Sequence, residues 1–172
     1  MQKSMRLVAV LSVLGLTTFP VLAERPTIAY FDLPSGFSFT LSGVCSFDVF
    51  EELLGNKEKI ATFYNQNGDI TFQVLTGMNK WRFTNVDTGE SIVLNASGPG
   101  RFFVQPGSDI VRAETAGVSF WTFQPGTQPP GWPAFALTRG RIVAELDPAT
   151  FAILNLIAQQ GATVQDLCAA LE

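Results

Sequence analysis

The feature that most constrains the fold of this chain is a succession of short segments, between about residues 45 and 157, in which apolar and polar side chains alternate. Successive side chains of a β-strand point to opposite faces of a sheet, so this alternation predicts strands. The clearest turn between them is Asn67-Gly68, because both residues accept the positive φ angles that a two-residue hairpin turn requires. The other predicted turns lie at Gly55-Asn56, Gly77-Met78-Asn79, Asp87-Thr88-Gly89, residues 97–100, residues 106–108 and Gly117.

About nine consecutive strands with almost no helix between them predict an all-β fold, either an antiparallel barrel or a sandwich. Residues 151–157 form the last candidate strand, although their Ala and Leu content fits a helix nearly as well. Thr163 has the side chain of a helix N-cap, and Asp166 would lie in the first turn, where a carboxylate is favourable. We therefore expect a short C-terminal helix.

The segment 134–146 changes the parity of its apolar residues. Phe135 and Leu137 are apolar at odd positions, whereas Ile142 and Ala144 are apolar at even positions. A strand that keeps one face in the core needs an extra residue to make this change. We expect a β-bulge at Gly140 that places Leu137 and Ile142 on the same face.

The first 23 residues have the pattern of a signal peptide. Lys3 and Arg6 precede an apolar run over residues 7–16 that is too short to span a bilayer, and Val21 and Ala23 stand where a signal peptidase reads the chain. A buried N-terminal helix is the alternative. We expect cleavage after Ala23 and a secreted mature chain, extracellular or periplasmic. Residues 24–42 are predicted to be an extended arm, and residues 43–172 a single β domain.

Composition excludes several classes of function. The leader holds two of the 11 Lys and Arg residues and none of the 15 Asp and Glu residues, so the mature net charge is −6. Such a chain has no surface suited to nucleic acid, and no second apolar run predicts a membrane span. The sequence has no His, which excludes Ser-His-Asp and Cys-His catalysis. Two Cys and no His leave too few ligands for tetrahedral zinc, so no metal or cofactor is predicted.

The two cysteines are Cys45 and Cys168. After export to an oxidising compartment, an even number of cysteines is most simply explained by one disulfide bond, which here would close a loop over most of the mature chain. Two buried free thiols are the alternative.

Three stretches of the sequence occur in a recognisable order. They are Cys45-Ser-Phe-Asp-Val49, residues 81–100 with the hairpin Thr84-Asn-Val-Asp-Thr-Gly89 and the turn Ser97-Gly-Pro-Gly100, and the closing Asp166-Leu-Cys-Ala-Ala-Leu171. In these stretches the chain resembles a group of uncharacterised secreted proteins of high-GC Gram-positive bacteria, over about residues 43–172. The resemblance implies a signal peptide, a small β domain and a disulfide between the terminal cysteines, and it implies no activity.

Paired carboxylates, as in glycoside hydrolysis, are the catalytic chemistry that remains. Glu51 and Glu52 are adjacent on a predicted strand, so their side chains point to opposite faces and cannot form such a pair. The other acidic candidates are Asp32, Asp48, Asp69 and Glu114. Nothing in the sequence places a second acid opposite any of them. We interpret them all as solvated residues of strands and turns, which favours a non-catalytic role.

The three Trp residues are the candidates for binding. Trp81 shares a strand face with Phe83 and is assigned to the core. Trp121 lies in a strand that is apolar on both faces, so one face needs a cover from the N-terminal arm, a neighbouring chain or a ligand. Trp132 lies in the Pro- and Gly-rich loop 124–133, where a ring can contact a glycan, a peptide or an apolar ligand. The alternative for Trp132 is a ring folded back over the end of the domain.

We therefore interpret the chain as a secreted non-catalytic β domain that binds a protein partner, a ligand or an envelope component, with Trp132 and Trp121 as its binding residues. A lipocalin-like carrier of a small apolar ligand is the first alternative. A carboxylate-dependent hydrolase is the second.

Overall fold

The computed structural model describes residues 25–30, 33–124, 126–150 and 152–172. These residues form twelve strands and no helix, which confirms the all-β class and exceeds the nine or so strands expected. The predicted leader 1–23, its cleavage site at Ala23, and Asp32 lie outside the described residues. The strands are β1 (Thr27–Tyr30), β2 (Ser38–Leu41), β3 (Val49–Asn56), β4 (Lys59–Tyr64), β5 (Ile70–Thr76), β6 (Met78–Asn85), β7 (Ser91–Ser97), β8 (Gly100–Val104), β9 (Val111–Thr115), β10 (Val118–Thr122), β11 (Phe135–Leu146) and β12 (Ile153–Asp166).

The strands belong to two antiparallel sheets. One has four strands in the order β2-β3-β6-β7, and the other has eight, in the order β1-β4-β5-β8-β9-β11-β10 with β12 paired to β11. The sheets do not close into a barrel, so of the two predicted arrangements the sandwich-like one is observed. β1 and β2 lie in the segment predicted to be an extended arm, and they pair with β4 and β3 at the edges of the two sheets.

The chain crosses between the sheets four times, from β1 to β2, from β3 to β4, from β5 to β6 and from β7 to β8. The last crossing shows why these corners are tight. Gly98 has a φ of +155°, and a Cβ atom there would overlap the carbonyl oxygen of Ala116. Glycine is therefore required where these two segments approach each other. The row of corners divides the molecule into two halves.

β11 runs through both halves. Its first half pairs with β10 and its second half with β9, in one uninterrupted register. The bulge next to Gly140 lies in β12, where Gly161 and Ala162 face this single residue. A Cβ atom on Gly140 would lie 2.6 Å from the Cα atom of Ala162, so glycine here permits the close contact of β11 with β12.

The predicted change of parity at Gly140 is therefore wrong. With no extra residue in β11, Leu137 and Ile142 point to opposite faces, and they pack in different apolar clusters. The physical reason is that both faces of β11 are buried along most of its length. In such a strand the parity of the apolar residues does not report which way the strand faces.

The predicted C-terminal helix is also wrong. β12 continues to Asp166 and pairs with β11 along its whole length, with Thr163, the expected N-cap, opposite Arg139. Pairing with a buried strand satisfies the backbone of this segment and overrides the local helix pattern. Asp166 begins a turn instead, because its Oδ1 atom accepts hydrogen bonds from the backbone N–H groups of Cys168 and Ala169.

One half of the molecule has two layers. This packed half comprises the four-stranded sheet, β10, the first half of β11 and the C-terminal turn 167–171. Its buried core consists of Val49, Leu53, Trp81, Phe83, Phe135, Leu137, Leu167 and Leu171. Trp81 is 6% exposed, which confirms its assignment to the core. A disulfide bond between Cys45 and Cys168 joins the segment before β3 to the turn after β12, so the predicted pairing is confirmed.

The other half is much less buried in β1, β4, β5 and β8, whereas Val111, Ala113, Ala144 and Leu146 of β9 and β11 are buried. This open half comprises β1, β4, β5, β8, β9 and the second half of β11. Thr62 and Gly100 are the buried residues of β4, β5 and β8, and the rest of these strands is half-buried or exposed. In the part of the chain that the structure describes, none of the residues of these three strands is among the buried residues of the apolar core clusters.

Candidate functional site

The candidate site lies on one face of the open half, which we call the inner face. Side chains alternate along each strand, and the antiparallel register aligns the strands, so one face collects every second residue of β4, β5, β8 and β9. The cross-strand pairs on this face are Ile60–Leu75, Gln73–Phe102 and Val104–Val111. The alternation that predicted strands in the sequence therefore also builds an apolar surface.

These six side chains and Pro148 line a partly open cavity of about 300 Å³, which we call the apolar cavity. Pro148 belongs to the turn between β11 and β12. In that turn the Oδ1 atom of Asp147 accepts hydrogen bonds from the backbone N–H groups of Thr150 and Ala149, at 2.9 and 2.8 Å. These bonds lower the pKa of Asp147 and hold the turn so that Pro148 forms part of the cavity wall.

The lining of the apolar cavity has one polar side chain, that of Gln73. Its Nε2 atom donates a hydrogen bond to Oγ1 of Thr62 at 3.2 Å, so the amide is held against the sheet. Binding sites for small molecules are commonly lined by apolar and aromatic side chains with a few placed polar groups. The composition of this cavity suits a ligand that is mainly hydrocarbon.

Trp132, the first of the two predicted binding residues, lies outside the apolar cavity. It is 6% exposed, and its ring centroid lies 6.2 Å from that of Trp121 and 6.1 Å from that of Phe123. Its Nε1 atom donates a hydrogen bond to Oε1 of Gln159 at 3.3 Å. The ring packs inward, as in the alternative considered for it, and it covers the second apolar face of β10. Trp132 is thus a cover different from the N-terminal arm, the neighbouring chain and the ligand considered for this face.

Trp121, the second predicted binding residue, lines a separate cavity of about 360 Å³ together with Phe123 and Ile153. Its Nε1 atom donates a hydrogen bond to Oγ1 of Thr138 at 3.0 Å. The structure thus brings the two tryptophans into contact with each other. A binding role for either of them stays a prediction.

Glu51 is a buried acid, although its position in the sequence had been assigned to a solvated strand face. It is 3% exposed and lies on the same face of β3 as Val49 and Leu53. Burial raises the pKa of its carboxyl group from 4.5 to about 7, with no hydrogen bond or charge contributing to that shift. The alternation of Val49, Glu51 and Leu53 was the pattern that could have placed it in the core.

Two of the other acidic candidates pair with arginine. Oε2 of Glu52 lies 2.8 Å from a guanidinium nitrogen of Arg82, and Glu114 lies 3.1 Å from both Arg141 and Arg112. The hydrogen bond from Arg141 is the main reason that the pKa of Glu114 is lowered. These pairs fit the interpretation of the two acids as residues of a solvated strand face. Asp48 and Asp69 lie before β3 and between β4 and β5.

Comparisons with protein-family models, with curated proteins and with solved structures found no match to this chain. In the part of the chain that the structure describes, no helix is long and apolar enough to cross a membrane.

Proposed function

We propose that this chain is an exported, non-catalytic β domain that binds a small apolar ligand on the inner face of its open half. The observation that carries the proposal is the apolar cavity, about 300 Å³ in volume, with six apolar side chains and one amide in its lining. Sites for small ligands commonly have volumes of about 300–1,000 Å³ and an apolar lining.

The incomplete burial of the inner face supports the proposal. Ile60, Leu75 and Phe102 are each only half-buried, although they lie together on one face of the sheet. A contiguous apolar patch that the fold itself does not cover is typical of a binding surface. A ligand that covers this face would remove further apolar area from water, at about 25 cal/mol per Å².

Export is the second part of the proposal. A disulfide bond such as Cys45–Cys168 persists in oxidising compartments and is rare in the cytosol. The pattern of residues 1–23 and the resemblance to secreted proteins of high-GC Gram-positive bacteria support the same location.

The test is the binding of 1-decanol to the purified exported chain, measured by calorimetry. A water-sized group takes about 30 Å³, so the cavity holds about ten of them, the size of a ten-carbon chain. Val104→Trp puts a large ring into the cavity and should weaken decanol binding at least about tenfold, or 1.4 kcal/mol. Phe103→Trp is the matched control, because Phe103 is the next residue of β8, 40% exposed on the opposite face.

The result that supports the proposal is decanol binding that Val104→Trp weakens and Phe103→Trp leaves unchanged. If decanol does not bind, or if both variants bind it as the unchanged chain does, the apolar cavity is not the binding site. A protein or glycan partner is then the function to test.

A further inference from the structure

A second cavity lies beside the apolar cavity, at the corner where the chain passes between the two sheets. This corner cavity has a volume of about 190 Å³, and its lining includes Glu58, Asn79 and Thr115. Leu75 and Phe102 line both cavities, so the two share a wall. A single elongated ligand could therefore occupy both.

Two buried polar atoms of residues that line the corner cavity, and two more of residues outside its lining, have no hydrogen-bond partner among the described residues. They are Nδ2 of Asn56, Oδ1 of Asn79, Nε1 of Trp81 and Oγ1 of Thr115. Asn79 and Thr115 line the cavity, Asn56 faces Asn79 in the β3–β6 ladder, and Trp81 follows two residues later on the same face of β6. Buried polar atoms without partners are rare in folded proteins, because their lost hydration is not replaced. The two that belong to the lining, on Asn79 and Thr115, point to a polar ligand in this cavity.

The types of these atoms restrict the ligand. The amide nitrogen of Asn56 and the indole nitrogen of Trp81 donate, the amide oxygen of Asn79 accepts, and the hydroxyl group of Thr115 does both. A carboxylate only accepts, so it could not pair with the amide oxygen of Asn79, and an ammonium group only donates, so it could not accept the hydrogen of the Thr115 hydroxyl group. Hydroxyl groups can both donate and accept.

Glu58 argues against an anionic ligand. It is half-buried, and its Oε2 atom accepts a hydrogen bond from Nδ2 of Asn79 at 3.0 Å. Burial raises the pKa of Glu58, because water is lost from around its carboxyl group. A second negative charge in the same cavity would be repelled.

We propose that the two cavities form one site for a neutral amphiphile, with its hydrocarbon chain in the apolar cavity and a hydroxylated head in the corner cavity. This inference rests on the proposed function, since it assigns the ligand class of the same site. The corner cavity holds about six water-sized groups, which matches a glycerol head. Asn79 and Thr115 line this cavity, so their side chains lie beside the space that the head would fill.

The experiment compares 1-decanoylglycerol with 1-decanol, which has a chain of the same length and no glycerol head, on the exported chain. The decanoylglycerol should bind about tenfold more tightly, because two or more hydrogen bonds are added. Thr115→Val keeps the shape of the side chain and removes its hydroxyl group. It should weaken decanoylglycerol binding about fivefold, the effect of one hydrogen bond, and leave decanol binding unchanged.

Thr76→Val is the matched control. Thr76 is the neighbour of Leu75 on β5, and its side chain lies on the opposite face, in register with Lys59. Thermal unfolding of each variant checks that the fold is kept. Equal affinities for the two ligands, or a Thr115→Val variant that binds both as the unchanged chain does, would overturn the inference and leave the proposed function standing. Failure of both ligands to bind would overturn the proposed function as well.

Discussion

The packed half and the open half are built from the same kind of strand, but they differ in what covers them. In the packed half, the four-stranded sheet lies against β10 and β11, and Phe83 and Phe135 are fully buried between the layers. In the open half, the inner face of β4, β5 and β8 lies on the other side of the eight-stranded sheet, beside the turn at Pro148, and Ile60, Leu75 and Phe102 on it are half-buried. Under the proposed function, one half supplies stability and the other leaves apolar surface for a ligand.

The disulfide bond is expected to be the largest single contribution to this difference. It closes a loop of 123 residues, for which loop-closure entropy gives up to about 5 kcal/mol. The double variant Cys45→Ala/Cys168→Ala should lose a large part of this free energy of unfolding in denaturant titrations. A loss below about 1 kcal/mol would mean that the packed half does not depend on this cross-link.

Truncating one phenylalanine in each half compares the halves directly. Phe83→Ala removes a fully buried ring and should lower the free energy of unfolding by about 4 kcal/mol. Phe103→Ala removes a ring that is 40% exposed, and the expected loss is about 1 kcal/mol. Equal losses, measured by urea unfolding at one pH, would remove the distinction between the halves.

Trp132 tests whether the loop 124–133 belongs to the stable part of the molecule. Because its ring is 6% exposed against Trp121 and Phe123, Trp132→Ala should lower the free energy of unfolding by about 3–5 kcal/mol. Decanol binding to the folded variant should remain. Unchanged stability with lost ligand binding would restore Trp132 as the contact residue that the sequence suggested.

The raised pKa of Glu51 predicts that the free energy of unfolding depends on pH. Its pKa is about 7 in the folded chain against an ordinary value of 4.5, so its carboxyl group binds its proton more tightly when folded. The contribution of this carboxyl group to the free energy of unfolding is therefore complete below pH 4.5. It is lost as the pH rises through 7, by up to about 3 kcal/mol. Glu51→Gln should remove most of this loss at pH 8.5.

The matched control for that prediction is Glu52→Gln. Glu52 is the next residue of β3 and pairs with Arg82 near the surface, so its replacement should change stability by less than about 1 kcal/mol at any pH. If the two variants show the same pH dependence of unfolding, the burial of Glu51 is not the cause.

Local sequence patterns predicted most of the strands and most of the turns. Asn67-Gly68 and Asp87-Thr88-Gly89 lie between paired strands, β4 with β5 and β6 with β7, because short-range chemistry decides such turns. The sequence also predicted the disulfide bond between Cys45 and Cys168, since two cysteines allow only one bond. Local patterns did not show that the chain changes sheet at Gly77 and Gly98, because such a corner depends on which strands lie beside it.

Long-range packing explains the predictions that failed. Thr163 fits a helix N-cap in isolation, but a fourteen-residue strand forms because β11 offers it a complete ladder. β1 and β2 could not be distinguished from an extended arm, since such short edge strands depend on their partners. The two cavities combine residues from strands distant in sequence, such as Ile60 with Val111 and Asn79 with Thr115, and no single segment contains that information.

Hydrogen exchange with and without 1-decanol, measured by mass spectrometry on the exported chain, tests most directly whether the ligand binds to the open half and not to the packed half. We expect added protection in β4, β5 and β8 when the ligand is present, and little change in β3, β6 and β7, which are already protected by the packed core. Protection confined to the packed half or to the loop 124–133 would contradict the assignment of the ligand site to the apolar cavity.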